Sequence, residues 1–308
     1  MIASVFNKTR PFNYVIIGTL LLIAFVSYTF SHSIFKGWQG FLYGTMYFVS
    51  IVASCFLVNF ISLKNTLTRN DNYAILLFFI FLLFFPSIFK NKNILISNFF
   101  LLLSLRRLIS LKSMKSTQEK FFDASFWIFL SALFHFWSAL YIGLVFISII
   151  LHGSRDYKNW LIPVIAFLSV IILFFMFNFM NDNTLLEILL NKAYISFDFT
   201  YFENIYQNIA LAVFSSIAIL FFVSMIMTIN ATPLNMQSSY KKILFSFLLG
   251  VGIYILSADK NNSCLIFCLA PLSIMGANFI ENLENKILKE VTLYSLLVIG
   301  LFFFIMQL

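Results

Sequence analysis

The chain has 308 residues, of which 61% are hydrophobic and only 10% charged, and its mean hydropathy is +0.94. Soluble domains carry roughly 25% charged residues, so this composition excludes an ordinary water-soluble protein and implies a chain solvated mostly by lipid. The formal charge of +8 does not point to nucleic acid, because the Lys and Arg residues sit at the ends of apolar runs, where they set membrane orientation.

Runs such as AILLFFIFLLFF and VIAFLSVIILFFMFNF are apolar on every face, whereas barrel strands alternate in polarity over ~10 residues. The expected fold is all-α, a polytopic transmembrane helical bundle forming one integral membrane domain over 1–308. The opening MIASVFNKTRPFNYVIIGTLLLIAFVSYTF puts Lys8 and Arg10 ahead of an apolar run with no clear small-residue cleavage site after it. It reads as a retained first helix with its N-terminus in the cytoplasm. Apolar segments are expected at 12–30, 41–61, 73–89, 94–109, 121–151, 160–179, 207–229, 242–257, 263–280 and 291–307. Two of them, 94–109 and 242–257, reach only about 24 Å at a helical rise of ~1.5 Å per residue. Tight turns at 86–93 and 259–262 join them to neighbours as helical hairpins.

The fifth segment decides the crossing count. Ten crossings from a cytoplasmic N-terminus leave eleven basic residues inside and nine outside; an eleventh crossing within 121–151 inverts every later loop and makes the split fifteen to five, which the positive-inside rule prefers. Ser116 and Glu119 form a capping-box pattern. A helix from Thr117 towards Leu151 would be about 52 Å long, well beyond a hydrocarbon core of ~30 Å. It either continues as one interfacial and spanning helix, the simpler course, or bends around 134–138 and returns as two short arms.

The stretch LRRLISLKSMKSTQEKFFDASFW, residues 105–127, concentrates positive charge between two apolar segments. Arg106, Arg107, Lys112, Lys115 and Lys120 form a collar that orients the protein and suits an anionic headgroup or an acidic partner. Asp123 lies three residues into the following segment, where an ionised carboxylate needs a partner. Lys120 is the local choice, Arg106 or Arg107 the longer-range one, and a proton or polar-substrate role a third. His135, twelve residues on, is expected to bond a neighbouring helix.

Residues 181–206 read as an interfacial polar loop, with Leu185, Leu189 and Tyr194 on the apolar face of a short helix. Asp198 and Glu203 there, with Asp123, are weak catalytic candidates; no DxD spacing or carboxylate cluster supports them. Cys55, Cys264 and Cys268 lie in apolar runs without His or acidic neighbours, so core packing rather than a metal is expected, and no cofactor is implied. No GxGxxG, Walker A, HExxH or GxSxG motif occurs. Asn59, Asn98, Asn178, Asn230 and Asn278 are placed to bond across a bundle, and Gly250 and Gly252 to let helices approach closely.

Together, MIASVFNKTRPFNY and LRRLISLKSMKSTQEKFFDASFW resemble an uncharacterised family of polytopic inner-membrane proteins from Bacteroidetes. The resemblance implies a multi-pass protein of the bacterial inner membrane and supplies no reaction, cofactor or ligand residue. Two functional classes stay open. One is a cell-envelope assembly or interaction component whose basic loop docks membrane lipids or an envelope protein partner. The other is a lipid-linked sugar transferase, polymerase or transporter acting on an anionic lipid. Against the enzyme, the first external loop SHSIFKGWQG has no acidic residue where polyprenyl-phosphate-dependent transferases commonly carry one.

Overall fold

The computed structural model describes residues 2–33, 37–69, 71–152, 157–180, 184–195, 205–257 and 261–308. Every apolar segment expected from the sequence is helical. A short α1 (Ile2–Phe6) precedes α2 (Pro11–Ser31), α3 (Gly37–Lys64) and α4 (Tyr73–Phe84), which ends at a 3₁₀ turn, Pro86–Lys90. Then come α5 (Lys92–Ile109), α6 (Thr117–Phe134), α7 (Ile142–Leu151) and α8 (Lys158–Met180), followed by the short α9 (Thr184–Asn191). The chain ends with α10 (Ile205–Ile229), α11 (Leu234–Leu256), α12 (Ile266–Asn282) and α13 (Lys286–Met306). Among the described residues eight helices are long and apolar enough to cross a membrane, and two shorter apolar ones, Tyr73–Phe84 and Phe136–Leu151, accompany them.

A helix that is apolar all round belongs inside a bundle, and α4 follows that rule: each of its residues from Tyr73 to Phe84 is buried. It packs on α12, which is also buried almost throughout, and on α3 and α13. The outer helices α2, α8, α10 and α13 turn rows of Phe, Ile, Leu and Val outwards, as lipid-facing surfaces do. Lipid gives no hydrophobic drive between helices, so close fit supplies much of the attraction. A Cβ on Gly250 would lie 2.9 Å from the Phe267 backbone oxygen and 3.0 Å from Cys268 Sγ; one on Gly276 would meet the Phe221 ring at 2.6 Å and Leu77 at 2.8 Å. Gly252, expected to serve the same purpose, faces open space. Cys55, Cys264 and Cys268 are all buried, and none is in a disulfide.

The segment 121–151 is not one continuous helix. At His135 the backbone leaves the helix (φ −139°, ψ 105°), a 3₁₀ turn spans Phe136–Tyr141, and α7 runs back. The return is fixed at its far end: the Lys242 ammonium donates to the Leu108 carbonyl (2.6 Å) at the end of α5 and sits 3.4 Å from His152 Nε2, just past α7. Meanwhile Lys120, at the start of α6, donates to Ser110 O (2.8 Å). The first turn of α6 and the last turn of α7 therefore share one end of the bundle. Neither proline nor glycine makes the break; hydroxyls stabilise it. Ser138 N and Oγ both donate to His135 O, and Ser131 Oγ contacts Ser138 Oγ and Ser97 at 2.9 Å. The start of α6 at Thr117 matches expectation, but the capping box does not form: Ser116 has φ +47° and makes no side-chain cap bond.

Two polar ends result. One, the collar end, gathers α1, the turns between α3 and α4 and between α5 and α6, His152, and the α12–α13 turn; Ala3 N donates to Glu290 Oε2 (3.1 Å) there. The other gathers the Pro86–Lys90 turn, His135 and the chain terminus, where Ser31 Oγ donates to Leu308 O (2.7 Å) and Gln307 Nε2 to Phe84 O (3.1 Å).

The glycine contacts rank three substitutions. Gly250→Ala, blocked by backbone, should lower stability by about 1–3 kcal/mol. Gly276→Ala drives into the buried Phe221 ring and should cost a similar amount, whereas Gly252→Ala should be neutral or gain up to ~1 kcal/mol of helix propensity. Thermal unfolding in detergent checks the order, and equal losses at Gly250 and Gly252 would refute the packing argument.

Candidate functional site

At the collar end, α5 and α6 form an antiparallel hairpin, and the collar is largely engaged within the chain. Arg107 Nη2 lies 2.9 Å from Asp123 Oδ2, so Asp123 pairs across the hairpin and not with Lys120 on its own helix. Both side chains are partly exposed, which limits such a pair to ~0–1 kcal/mol. Arg106 stacks over the Phe60 ring at 4.7 Å and Lys64 over the same ring at 5.0 Å. Lys112 donates to Thr66 Oγ1 (3.2 Å) and approaches Met236 Sδ (2.7 Å), and Lys120 also donates to Ser113 Oγ (2.7 Å). Lys115 is exposed.

Two groups at this end escape sequence reasoning. Lys242, fully buried on α11, makes the contacts to Leu108 and His152 described above. His152 Nδ1 lies 3.0 Å from Ser148 O; if it donates there, Nε2 is left to accept from the ammonium. Burial, and after it the Lys242 charge, hold the His152 imidazole down to about 4.

The second is an acid pair. Asp71 and Glu281 are 2% and 8% exposed and hydrogen-bond to each other. Tyr73 N donates to Asp71 Oδ1 (3.3 Å) and Arg69 N to Glu281 Oε1 (3.0 Å), while Lys289 Nζ donates to the Glu281 backbone oxygen (3.1 Å). Burial first, then the hydrogen bond and charge of Glu281, push the Asp71 carboxyl well above the usual carboxylate range, so the pair holds a shared proton. Glu281 edges a polar cleft of about 480 Å³ that also takes in Arg69, Tyr240 and Asn278.

At the opposite end a cleft of about 300 Å³ is lined by Lys90, Asn91, Lys92, Asn93, His135, Lys192 and neighbours. Among the described residues His135 makes no side-chain hydrogen bond to a neighbouring helix: its Nε2 is buried without a partner there, and its ring lies 5.4 Å from that of Phe267 on α12. Burial, then the Lys192 charge, hold this imidazole down to about 4.

Of the expected amide bridges, Asn59 makes one, donating to Tyr14 OH (2.6 Å) and Asn72 Oδ1 (3.3 Å); Asn278 bonds only its own helix, at Ile274 O. Asp198 and Glu203 lie outside the described residues. Among the described residues no group of three or more His, Cys, Asp or Glu side chains could hold a metal ion.

A family model, the Family of unknown function (DUF6427), matches residues 1–308. The chain belongs to this family. No curated protein and no solved structure matches the chain. For this DUF6427 protein the sites above therefore rest on their own geometry, and the described residues support a multi-pass membrane protein.

The acid pair makes stability pH-dependent. The folded pair keeps a proton that an unfolded Asp releases at about pH 4, so this contribution is complete at low pH and declines as pH rises towards the raised folded-state value, by at most about 1.4 kcal/mol per pH unit. Asp71→Asn keeps a donor for Glu281 without the proton. Melting from pH 6 to 9 should fall less steeply in this variant than in the parent; parallel slopes would refute the shared proton.

Proposed function

We propose that the chain is an integral protein of the bacterial inner membrane with a cytoplasmic N-terminus and eleven crossings, acting as a cell-envelope interaction component through its basic collar. The return of the chain at His135 carries this reading. Counting α4 with its 3₁₀ turn, α6, and the arm ending in α7 as crossings, beside the eight long helices, inverts every later loop. Fifteen of the 20 Lys and Arg residues then face the cytoplasm, the distribution the positive-inside rule favours. Arg106, Arg107, Lys112, Lys115 and Lys120 cluster on that face, where anionic headgroups attract polybasic segments at ~1 kcal/mol per residue. Their internal contacts hold the turn rigid, and Lys115 stays free to meet a lipid surface or an acidic envelope protein. The bacterial address comes from the resemblance of the two quoted stretches.

A second reading, action on an anionic lipid substrate, is favoured by the lysine-lined cleft at the other end; Asp198 and Glu203 as its acids lie outside the described residues.

Cysteine labelling in a background lacking Cys55, Cys264 and Cys268 tests the topology. With a membrane-impermeant maleimide on intact inner-membrane preparations of known sidedness, Ser113→Cys and Tyr157→Cys should react from the same, cytoplasmic side and Lys92→Cys from the other. Opposite sides for positions 113 and 157 would sink the eleven-crossing reading. For the collar, joint Lys112→Gln, Lys115→Gln and Lys120→Gln should abolish crosslinking to a specific envelope partner while the lipid profile of a deletion strain stays unchanged. A lost lipid product with no collar-dependent partner would instead favour the substrate reading.

A further inference from the structure

Among the described residues, the cleft beside His135 gathers positive charge with no acid beside it. Lys90 ends the 3₁₀ turn after α4, Lys92 opens α5 and Lys192 follows α9, so two segments about a hundred residues apart bring three lysines to the lining of one cavity. Among the described residues none of the three has an ion pair or side-chain hydrogen bond, and no Asp or Glu among them lines the cavity. Glu187, on α9, is exposed and lies outside the lining. Like charges gathered at one cavity favour an anion among them. The collar shows the contrast, since its cations are met by Asp123, Phe60 and loop oxygens. In addition, the first turn of α5 lines the cleft and has no side-chain cap from Asn91, which suits a helix N-terminus to an anion.

The cleft is continuous with an apolar groove. A second cavity of about 450 Å³ shares Asn93, Phe134, Phe136 and Lys192 with it and runs between α6 and α8, walled by residues such as Leu130, Leu133, Leu173 and Phe177. From α9, Leu185 and Leu189 close over it. A cationic pocket opening on a membrane-embedded apolar groove matches an amphiphile with an anionic head and a hydrocarbon tail. Both volumes fall within the ~300–1,000 Å³ of ordinary small-molecule sites.

We propose that this end of the bundle binds one anionic lipid, its phosphate held by Lys90, Lys92, Lys192 and the α5 N-terminus, and its hydrocarbon chain lying in the α6–α8 groove beneath α9. The groove selects lipid over free phosphate, because only a chain fills it; the lysines select anionic over zwitterionic headgroups. The site is independent of the collar and stands whether or not the eleven-crossing topology holds.

The test is native mass spectrometry of the purified full chain with dioleoyl phosphatidic acid, with dioleoyl phosphatidylcholine as comparison. Joint Lys90→Gln, Lys92→Gln and Lys192→Gln should weaken phosphatidic acid retention at least about tenfold, since charge-assisted contacts are lost. The collar variant Lys112→Gln, Lys115→Gln, Lys120→Gln should retain it like the parent. Leu133→Trp with Leu173→Trp fills the groove without touching charge and should weaken retention as well, with melting temperatures confirming that each variant is folded. Equal retention by the cleft variant and the parent would overturn the site. So would equal retention of phosphatidylcholine, or displacement of phosphatidic acid by millimolar inorganic phosphate, which would mark a soluble-anion pocket. Retention unaffected by the Trp pair would overturn the placement of the chain.

Discussion

Inside a hydrocarbon layer no water is available to satisfy backbone amides, so a chain can turn there only where the protein supplies partners. The segment between Thr117 and Leu151, too long for one crossing, is interrupted at His135, at a polar end of the bundle where such partners are supplied. The helix opens where Ser131, Ser138 and, from α5, Ser97 offer hydroxyls to one another and to the freed carbonyls. Every later element takes its direction from this turn. With α7 returned to the collar end, α11 enters with Lys242 against the end of α5, and α12 arrives with Glu281 against the turn before α4. Without the return, those contacts would lie at opposite ends of the bundle.

Much of this was legible in the sequence, because length and hydrophobicity are local properties. The run from Tyr73 to Phe84 has no polar face, and it became the buried centre. The ten apolar stretches all recur as helices, and the polar stretch after α8 includes the short helix α9. The turn at His135 was legible only as an alternative: two arms looked short, and nothing in a single sequence announces that three serines will meet. The capping pattern at Ser116 located a helix start correctly while misidentifying how that start is made.

The polar pairs were the least legible part. Asp71 and Glu281 stand 210 positions apart, and each alone resembles a solvated charge at a helix end. Asp123 had a candidate partner three residues away, yet the α5–α6 hairpin presents Arg107 instead, because antiparallel packing brings the end of one helix beside the start of the next. Lys242 did carry a local signal. It falls on the same helical stripe as Ser239, Ser246 and Gly250, all buried, while Lys241 beside it faces outward. Helical period, applied to a charge as it is applied to leucines, separates an orienting lysine from a buried one.

The two ends of the bundle differ in how completely their charges are answered. At the collar, charge density is highest, yet carboxylate, aromatic ring and loop oxygens meet most of it, and even the acid pair nearby satisfies itself by keeping a proton. At the opposite end Lys90, Lys92 and Lys192 line one cavity and have no side-chain partner among the described residues. Folding tolerates an unanswered charge where water or a ligand can reach it, and the lysine cleft is open while the groove beside it is apolar. Charge density therefore misleads as a guide to chemistry in this fold. What distinguishes a site is the charge left over after internal pairing, and by that measure the weight shifts from Arg106 and Arg107 to Lys90, Lys92 and Lys192.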